Sequence, residues 1–310
     1  MCITFQNAVG TDYYSYIRIF NGEKSFAYSK GPIFKLIVMY LKIIFSNERA
    51  MFITVAAIQM ILFFKIIKFF YEKNFIKNIS LFIFLSLSTT TFYFEMFNIL
   101  RNSIASLFIV LSVLFFLEKK KLKSFILILF GASFHPSVII YSVIFTTKKI
   151  LYKKSTLRLL FFISSCFLLN RIDFIPKAAT FIYETNFDFP YKFYLKSNHM
   201  FPYTKTFGAG SIINLIIFLF SLNLVYRKEK DRNKIFIYNI GYIFFALQCL
   251  FINIPILTRL IGGGCLFENY IIYNLIEILL KKKNYILGII LVLYYLLFFV
   301  RRSLLIVPAY

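Results

Sequence analysis

The chain has 310 residues, of which 60% are hydrophobic and 21% aromatic, with a mean hydropathy of +0.75 and a formal net charge of +23. A water-soluble domain cannot hide that much apolar surface, whereas a polytopic membrane protein needs it, since each crossing takes about 20 apolar residues. The basic excess does not indicate nucleic acid, because its Lys and Arg lie in short clusters between apolar runs, as membrane topology demands.

Residues 1–32 are polar and Tyr-rich and contain Gly10-Thr-Asp12-Tyr-Tyr-Ser-Tyr16, and the Gly31-Pro32 pair starts a new element. From Ile33 to Phe45 apolar residues alternate with Lys35 and Lys42 at helical spacing. That stretch is too short and too charged to span, and predicts an interfacial amphipathic helix. Spans follow over 50–70, over 79–97 with Glu95 near its far end, and over 104–117. After the apolar stretch 124–145, spans are expected over 157–169, 209–226 and 235–252, over the segment that holds Gly262-Gly-Gly264 and Glu268, and over 285–300. Residues 171–206 form a long polar loop with Tyr183, Tyr191, Tyr194 and Tyr203, and Arg259 lies in a short turn. Cys166, Cys249 and Cys265 lie in apolar segments and Cys2 is terminal, without CxxC spacing, so neither a disulfide framework nor a metal site is indicated. Nothing resembles a cleavable signal peptide.

Basic residues set the topology. The runs 65–77, 118–123, 148–158, 227–234 and 281–283 hold 21 of the 36 Lys and Arg, and short loops rich in these residues mark the cytoplasmic side. Only one apolar stretch separates 118–123 from 148–158, so a single crossing there would place every later run outside. A re-entrant hairpin resolves the conflict. It would comprise two half-length helices, 125–134 and 137–145, each roughly 15 Å long at 1.5 Å per residue, reversing at His135-Pro136. Pro disfavours helix in the residue before it, and non-helical backbone at membrane depth is tolerated only against protein or a watery cavity, so His135 should face such a cavity. The expected fold is all-α: one integral membrane domain over 1–310, a bundle of about eight to ten membrane segments including the broken hairpin at 124–147. Residues 1–49, Arg101, the 171–208 loop and Arg259 fall on the outer, non-cytoplasmic face.

Arg101-Asn-Ser-Ile-Ala105, a span, a basic turn, a half-span and Ala132-Ser-Phe-His135-Pro-Ser137 form a pattern. It resembles the "RxxxA … A-S-x-F-H-x-S" signature of the EpsG family, Wzy-like membrane proteins of bacterial exopolysaccharide and O-antigen loci. Val9-Gly-Thr-Asp12-Tyr-Tyr-Ser-Tyr16 resembles that family's second signature and the Arg259 turn its third. Family members carry a hydrophobic segment before the Gly-Thr-Asp motif, which this chain lacks, and an Arg four residues before that Gly, where this chain has Gln6.

The resemblance implies a repeat-unit polymerase of the bacterial inner membrane. It would transfer a glycan from undecaprenyl pyrophosphate to a sugar hydroxyl of another lipid-linked oligosaccharide, with a chain-length regulator and a flippase as partners and no cofactor. Such a reaction needs a group to hold the pyrophosphate, a base for the acceptor's proton and surfaces that grip sugars. Arg101, Arg259 and Arg171 suit the first task, because a guanidinium stays charged and binds phosphate oxygens bidentately. The plainer readings are an interfacial Arg101 snorkelling to head groups or paired with Glu95, and an Arg171 that ends a span. His135, with an unperturbed pKa of about 6.5, suits proton transfer; otherwise it caps the broken hairpin. Asp12 is an alternative base or a sugar-orienting group, or a turn-forming Asp after Gly. Glu268 is an intramembrane carboxylate and so a functional candidate, or a structural partner for Lys or Arg. The outer Tyr residues are stacking faces for sugars or an interfacial belt. No Asp-x-Asp motif or His/Cys cluster indicates a metal, which favours a cation-independent reaction. Another membrane glycosyltransferase or acyltransferase could use the same Arg and His. A glycan transporter fits less well, since the chain has no repeat halves and too few spans for two bundles.

Overall fold

The computed structural model describes residues 13–23, 31–88, 96, 99–184, 208–252, 254, 257 and 261–304, and every regular element among them is helical. Long apolar runs without Pro or Gly leave the helix as the way to satisfy backbone groups away from water. Four helices are long and apolar enough to cross a membrane, Arg49–Glu72, Leu100–Leu117, Ala209–Lys228 and Arg232–Phe251. The pair Thr156–Arg171 and Phe174–Glu184, bent by 63°, makes a fifth if it is one broken span. Ile79–Ser88, Pro136–Thr146 and Tyr285–Val300 are shorter apolar helices. The chain is thus an all-helical, multi-pass membrane protein, and it divides into two compact units, residues 1–146 with 279–310, and residues 147–278.

The first unit begins with α1 (Tyr13–Asn21), which stops at Gly22, where φ is +85° and Glu23 N–H returns to the Arg18 carbonyl. Next comes α2 (Pro32–Ile44), with Pro at its first position, where a missing N–H costs nothing. It buries Phe34 and Val38 and exposes Leu36, Met39, Tyr40, Ile43 and Ile44, the wide apolar surface expected of an interfacial helix. The long α3 (Arg49–Glu72), α4 (Ile79–Ser88) and α5 (Leu100–Leu117) follow. At the far end of α5, Glu118 receives Lys73 and Lys120, both at 2.6 Å, which joins the basic runs 65–77 and 118–123 and holds the Glu118 carboxyl below the ordinary carboxylate range, Lys120 contributing most.

The broken hairpin is present. Its inward leg is α6 (Lys121–Phe134), about 21 Å long at 1.5 Å per residue, and it packs along α5. The chain breaks at His135 and returns as a 3-10 helix (Pro136–Ser142) continued by α7 (Val143–Thr146), a tighter return leg than the α-helix expected from sequence. The Phe145 ring lies 4.9 Å from that of Phe116, beside the turn from which α6 set out, so both legs share one end. Gly131 lets α6 sit this close to α5: a Cβ there would meet the Ala105 carbonyl oxygen at 3.1 Å.

In the second unit, α8 (Lys148–Leu151) leads to α9 (Thr156–Arg171), capped by the Ser155 hydroxyl, then to α10 (Phe174–Glu184), α11 (Ala209–Leu224), α12 (Arg232–Phe251), capped by Asp231, and α13 (Cys265–Lys281); α14 (Tyr285–Leu304) belongs to the first unit. The loop expected over 171–208 is helical from 174 to 184. Pro176 occupies its first turn, where no intrahelical N–H is lost, and Ala179 packs against Ile254. At one end of α12, Lys154 Nζ donates to the Arg227 and Glu229 carbonyls, which brings the basic runs 148–158 and 227–234 together. At its other end the Asn170 amide donates to the Leu250 carbonyl, so Arg171 lies opposite the basic end of this unit.

Candidate functional site

Arg101 sits in the first turn of α5, half-buried, at the end of that helix away from the Glu118 cluster. Its guanidinium lies over the Phe34 ring, 5.7 Å from the centroid. Phe34 is wholly buried and meets Tyr16 edge-on at 5.8 Å, while Tyr13 stacks on Phe52 at 5.1 Å. The Tyr residues that follow Asp12 therefore build the support for Arg101, with Tyr14 alone of the three well exposed. The Arg101 Nε is buried without a hydrogen-bond partner among the described residues, and none of the ion pairs there includes Arg101. A cation held on an aromatic face and without a carboxylate keeps its N–H edge available to an anion. Glu95 lies outside the described residues, as do Asp12, Arg259 and His199, the histidine of the long polar loop.

His135 occupies the hairpin tip in an extended conformation, φ −149° and ψ 110°, the region to which a following Pro confines a residue. Its N–H donates to the Gly131 carbonyl at 3.0 Å and its own carbonyl accepts from Val138 at 3.2 Å, so its backbone caps both legs. Its Nδ1 lies 2.5 Å from Ser137 Oγ, which leaves Nε2 for another partner. Phe134 and Phe130 both stack on Phe108, at 5.8 and 6.0 Å, and with the Gly131 contact to Ala105 they fix the tip about one turn of α5 below Arg101. The charge of Arg101 reaches His135 electrostatically. The tip is also held from the α2 side: a Cβ on Gly31 would stand 2.3 Å from the Phe134 carbonyl oxygen. Arg101 and His135, 34 positions apart in sequence, thus form one constellation with Ser137, Phe34 and the start of α2.

The other sequence candidates lie in the second unit. Glu268, in the first turn of α13, is 7% exposed, and Gln248 Nε2 donates to its Oε1 at 2.6 Å. Gly264, the last of the glycines before it, serves packing, because the Phe244 ring occupies the place its Cβ would take. Among the described residues, the Glu268 partner is thus a neutral amide. Arg171 is exposed at the end of α9, with its guanidinium 5.2 Å from the Phe167 ring centroid.

Sequence reasoning missed Gln59, Phe34 and the role of Gly31. Gln59 is wholly buried in α3, where its Nε2 donates to Ser103 Oγ at 2.5 Å and to the Met96 carbonyl at 3.2 Å. A lone amide amid an apolar span was the available signal, since polar groups in a bilayer need partners. The Phe34 and Gly31 contacts join segments about 70 and 100 positions apart, and no local pattern reports them.

The chain was also compared with known proteins. The model of the EpsG family matches residues 1–308. No curated protein matches the chain, and no solved structure does.

Proposed function

Because the chain belongs to the EpsG family, membrane proteins linked to polysaccharide synthesis, we propose that it polymerises undecaprenyl-pyrophosphate-linked oligosaccharide repeat units at the outer face of a bacterial cytoplasmic membrane. The observation that carries this reading is a guanidinium with no carboxylate partner among the described residues, beside a histidine at the tip of a re-entrant hairpin. In the proposed reaction, the acceptor sugar's hydroxyl oxygen bonds to the anomeric carbon of the donor glycan. The bond from that carbon to the phosphate oxygen breaks, and the pyrophosphate leaves with the electron pair. Arg101 holds the pyrophosphate oxygens through its N–H edge and stabilises the charge that develops on them. His135 takes the hydroxyl proton on Nε2 while its Nδ1–H donates to Ser137 Oγ, which fixes the tautomer and the ring. Asp12 immediately precedes α1, whose Tyr16 packs on the ring beneath Arg101, and is the alternative base. Arg259 is a second candidate for the pyrophosphate, and Arg171 and Glu268 are candidates for binding the rest of the substrate.

A deletion strain tests the reaction. Surface glycan reduced to a single capped repeat unit, restored to full length by the plasmid-borne gene, is the expected result; loss of all surface glycan would instead assign a transport step. Gly31 supplies a second check. Gly31→Ala must separate the start of α2 from the Phe134 carbonyl, and a displacement on the order of 1 Å can cost about 10²-fold in rate. Polymer length should fall sharply at an unchanged membrane protein level, whereas normal polymer would show that the α2 contact does not hold the reacting groups.

A further inference from the structure

We propose that the basic end of the second unit is a binding surface for anionic phospholipid head groups. The two loops that form it are locked together. Lys154 donates to the Arg227 and Glu229 carbonyls at 2.7 and 2.6 Å, and Arg158 to the Ile150 and Lys153 carbonyls at 2.9 and 2.8 Å. Tyr226 OH accepts from Ser155 N–H and donates to the buried Asn239, whose amide donates to the Leu151 carbonyl. The two carboxylates of the loop are turned toward their own backbone. Glu229 Oε1 accepts from the N–H groups of Lys230 and Asp231, and Asp231 Oδ1 accepts from Asn233 and Lys234 at the start of α12. None of the exposed lysines and arginines of these two loops that carry the proposal, Lys149, Lys153, Arg227, Lys228, Lys230 and Arg232, forms an ion pair among the described residues. Lys149, Lys153, Arg227, Lys228, Lys230 and Arg232 therefore stand exposed on a rigid support without carboxylate counter-charges among the described residues.

The place of this surface in the fold selects a lipid over a soluble polyanion. The helical segments Ala209–Lys228 and Arg232–Phe251, each long and apolar enough to cross a membrane, meet at this turn, which sets its cations at head-group level. Directly beside them Ile150, Leu157 and Phe161 are exposed at 54%, 77% and 73%, an apolar fringe placed for acyl chains beneath a phosphodiester. Charge above and hydrocarbon below match one molecule.

The test uses the full-length purified protein. Wild type is reconstituted in phosphatidylcholine vesicles with and without phosphatidylglycerol or cardiolipin, and thermal midpoints are compared with retained lipid measured by native mass spectrometry. The anionic lipids should raise the midpoint and remain bound. Retention should fall at least about tenfold in the quadruple variant Arg227→Gln, Lys228→Gln, Lys230→Gln, Arg232→Gln, and stay near wild type in Lys65→Gln, Lys68→Gln, Lys119→Gln, Lys121→Gln, which removes as much charge elsewhere. Equal loss in the two variants would reduce the effect to net charge and overturn the proposal. So would a wild type indifferent to anionic lipid, a comparison that needs no variant to fold. Displacement of the lipid by polyglutamate or inorganic phosphate at matched charge would also overturn it, assigning the surface to an acidic protein or a free anion.

Discussion

His135→Ala is expected to lower polymer formation by about 10²- to 10⁴-fold, the usual contribution of a positioned proton-transfer group. The residue also has a structural task, because its backbone caps both legs of the hairpin and its ring holds Ser137. The backbone caps survive any side-chain change, so the Ala variant should still insert. His135→Gln and His135→Asn separate the remaining possibilities: each keeps a neutral hydrogen-bonding group for Ser137, and neither can carry away a proton. Polymer length normalised to membrane protein abundance should stay at the Ala level in both. Full activity in Gln or Asn would remove proton transfer from His135 and leave Asp12 as the base.

Arg101→Lys is expected to lose most activity although the charge is kept, by roughly the 10²-fold that removal of one preorganised donor costs. An ammonium is a compact, strongly hydrated point charge and cannot place two parallel N–H groups on a pyrophosphate. Nor does it reproduce a flat cation laid over Phe34. The measurement is polymer length at matched protein level. Normal length in the Lys variant would make Arg101 a head-group anchor and move the leaving-group role to Arg259.

Hydropathy and basic runs made the membrane fold legible, because a bilayer imposes both on the chain whatever its tertiary packing. The hairpin could be derived from charge alone, since one apolar stretch lay between two runs that want the same side, and the Phe116–Phe145 contact supplies the geometry that arithmetic lacked. Helix Phe174–Glu184 was hidden by Pro176 and by neighbouring polar residues, although Ala179 follows the helical period that buries it on Ile254. Arg101 and His135 were visible singly as costly groups in a bilayer. Their common site was not, because it depends on Gly131 and Gly31 admitting the backbones of α5 and the hairpin tip to close range. The partner of Glu268 was equally hidden: Gln248 comes from a neighbouring helix and carries no charge by which to announce itself.

A hairpin that leaves through the end by which it came in also bears on the traffic of protons in the proposed reaction. Behind His135 stand the stacked rings of Phe134, Phe108 and Phe130, and the return leg comes back to Phe116, beside the start of the inward one. In the proposed reaction, the acceptor hydroxyl meets the imidazole on the Arg101 side. In the proposed reaction, a proton that His135 accepts there would return to the compartment it came from and move no charge through the membrane's electric field, so the turnover rate is expected to be independent of the cell's energisation.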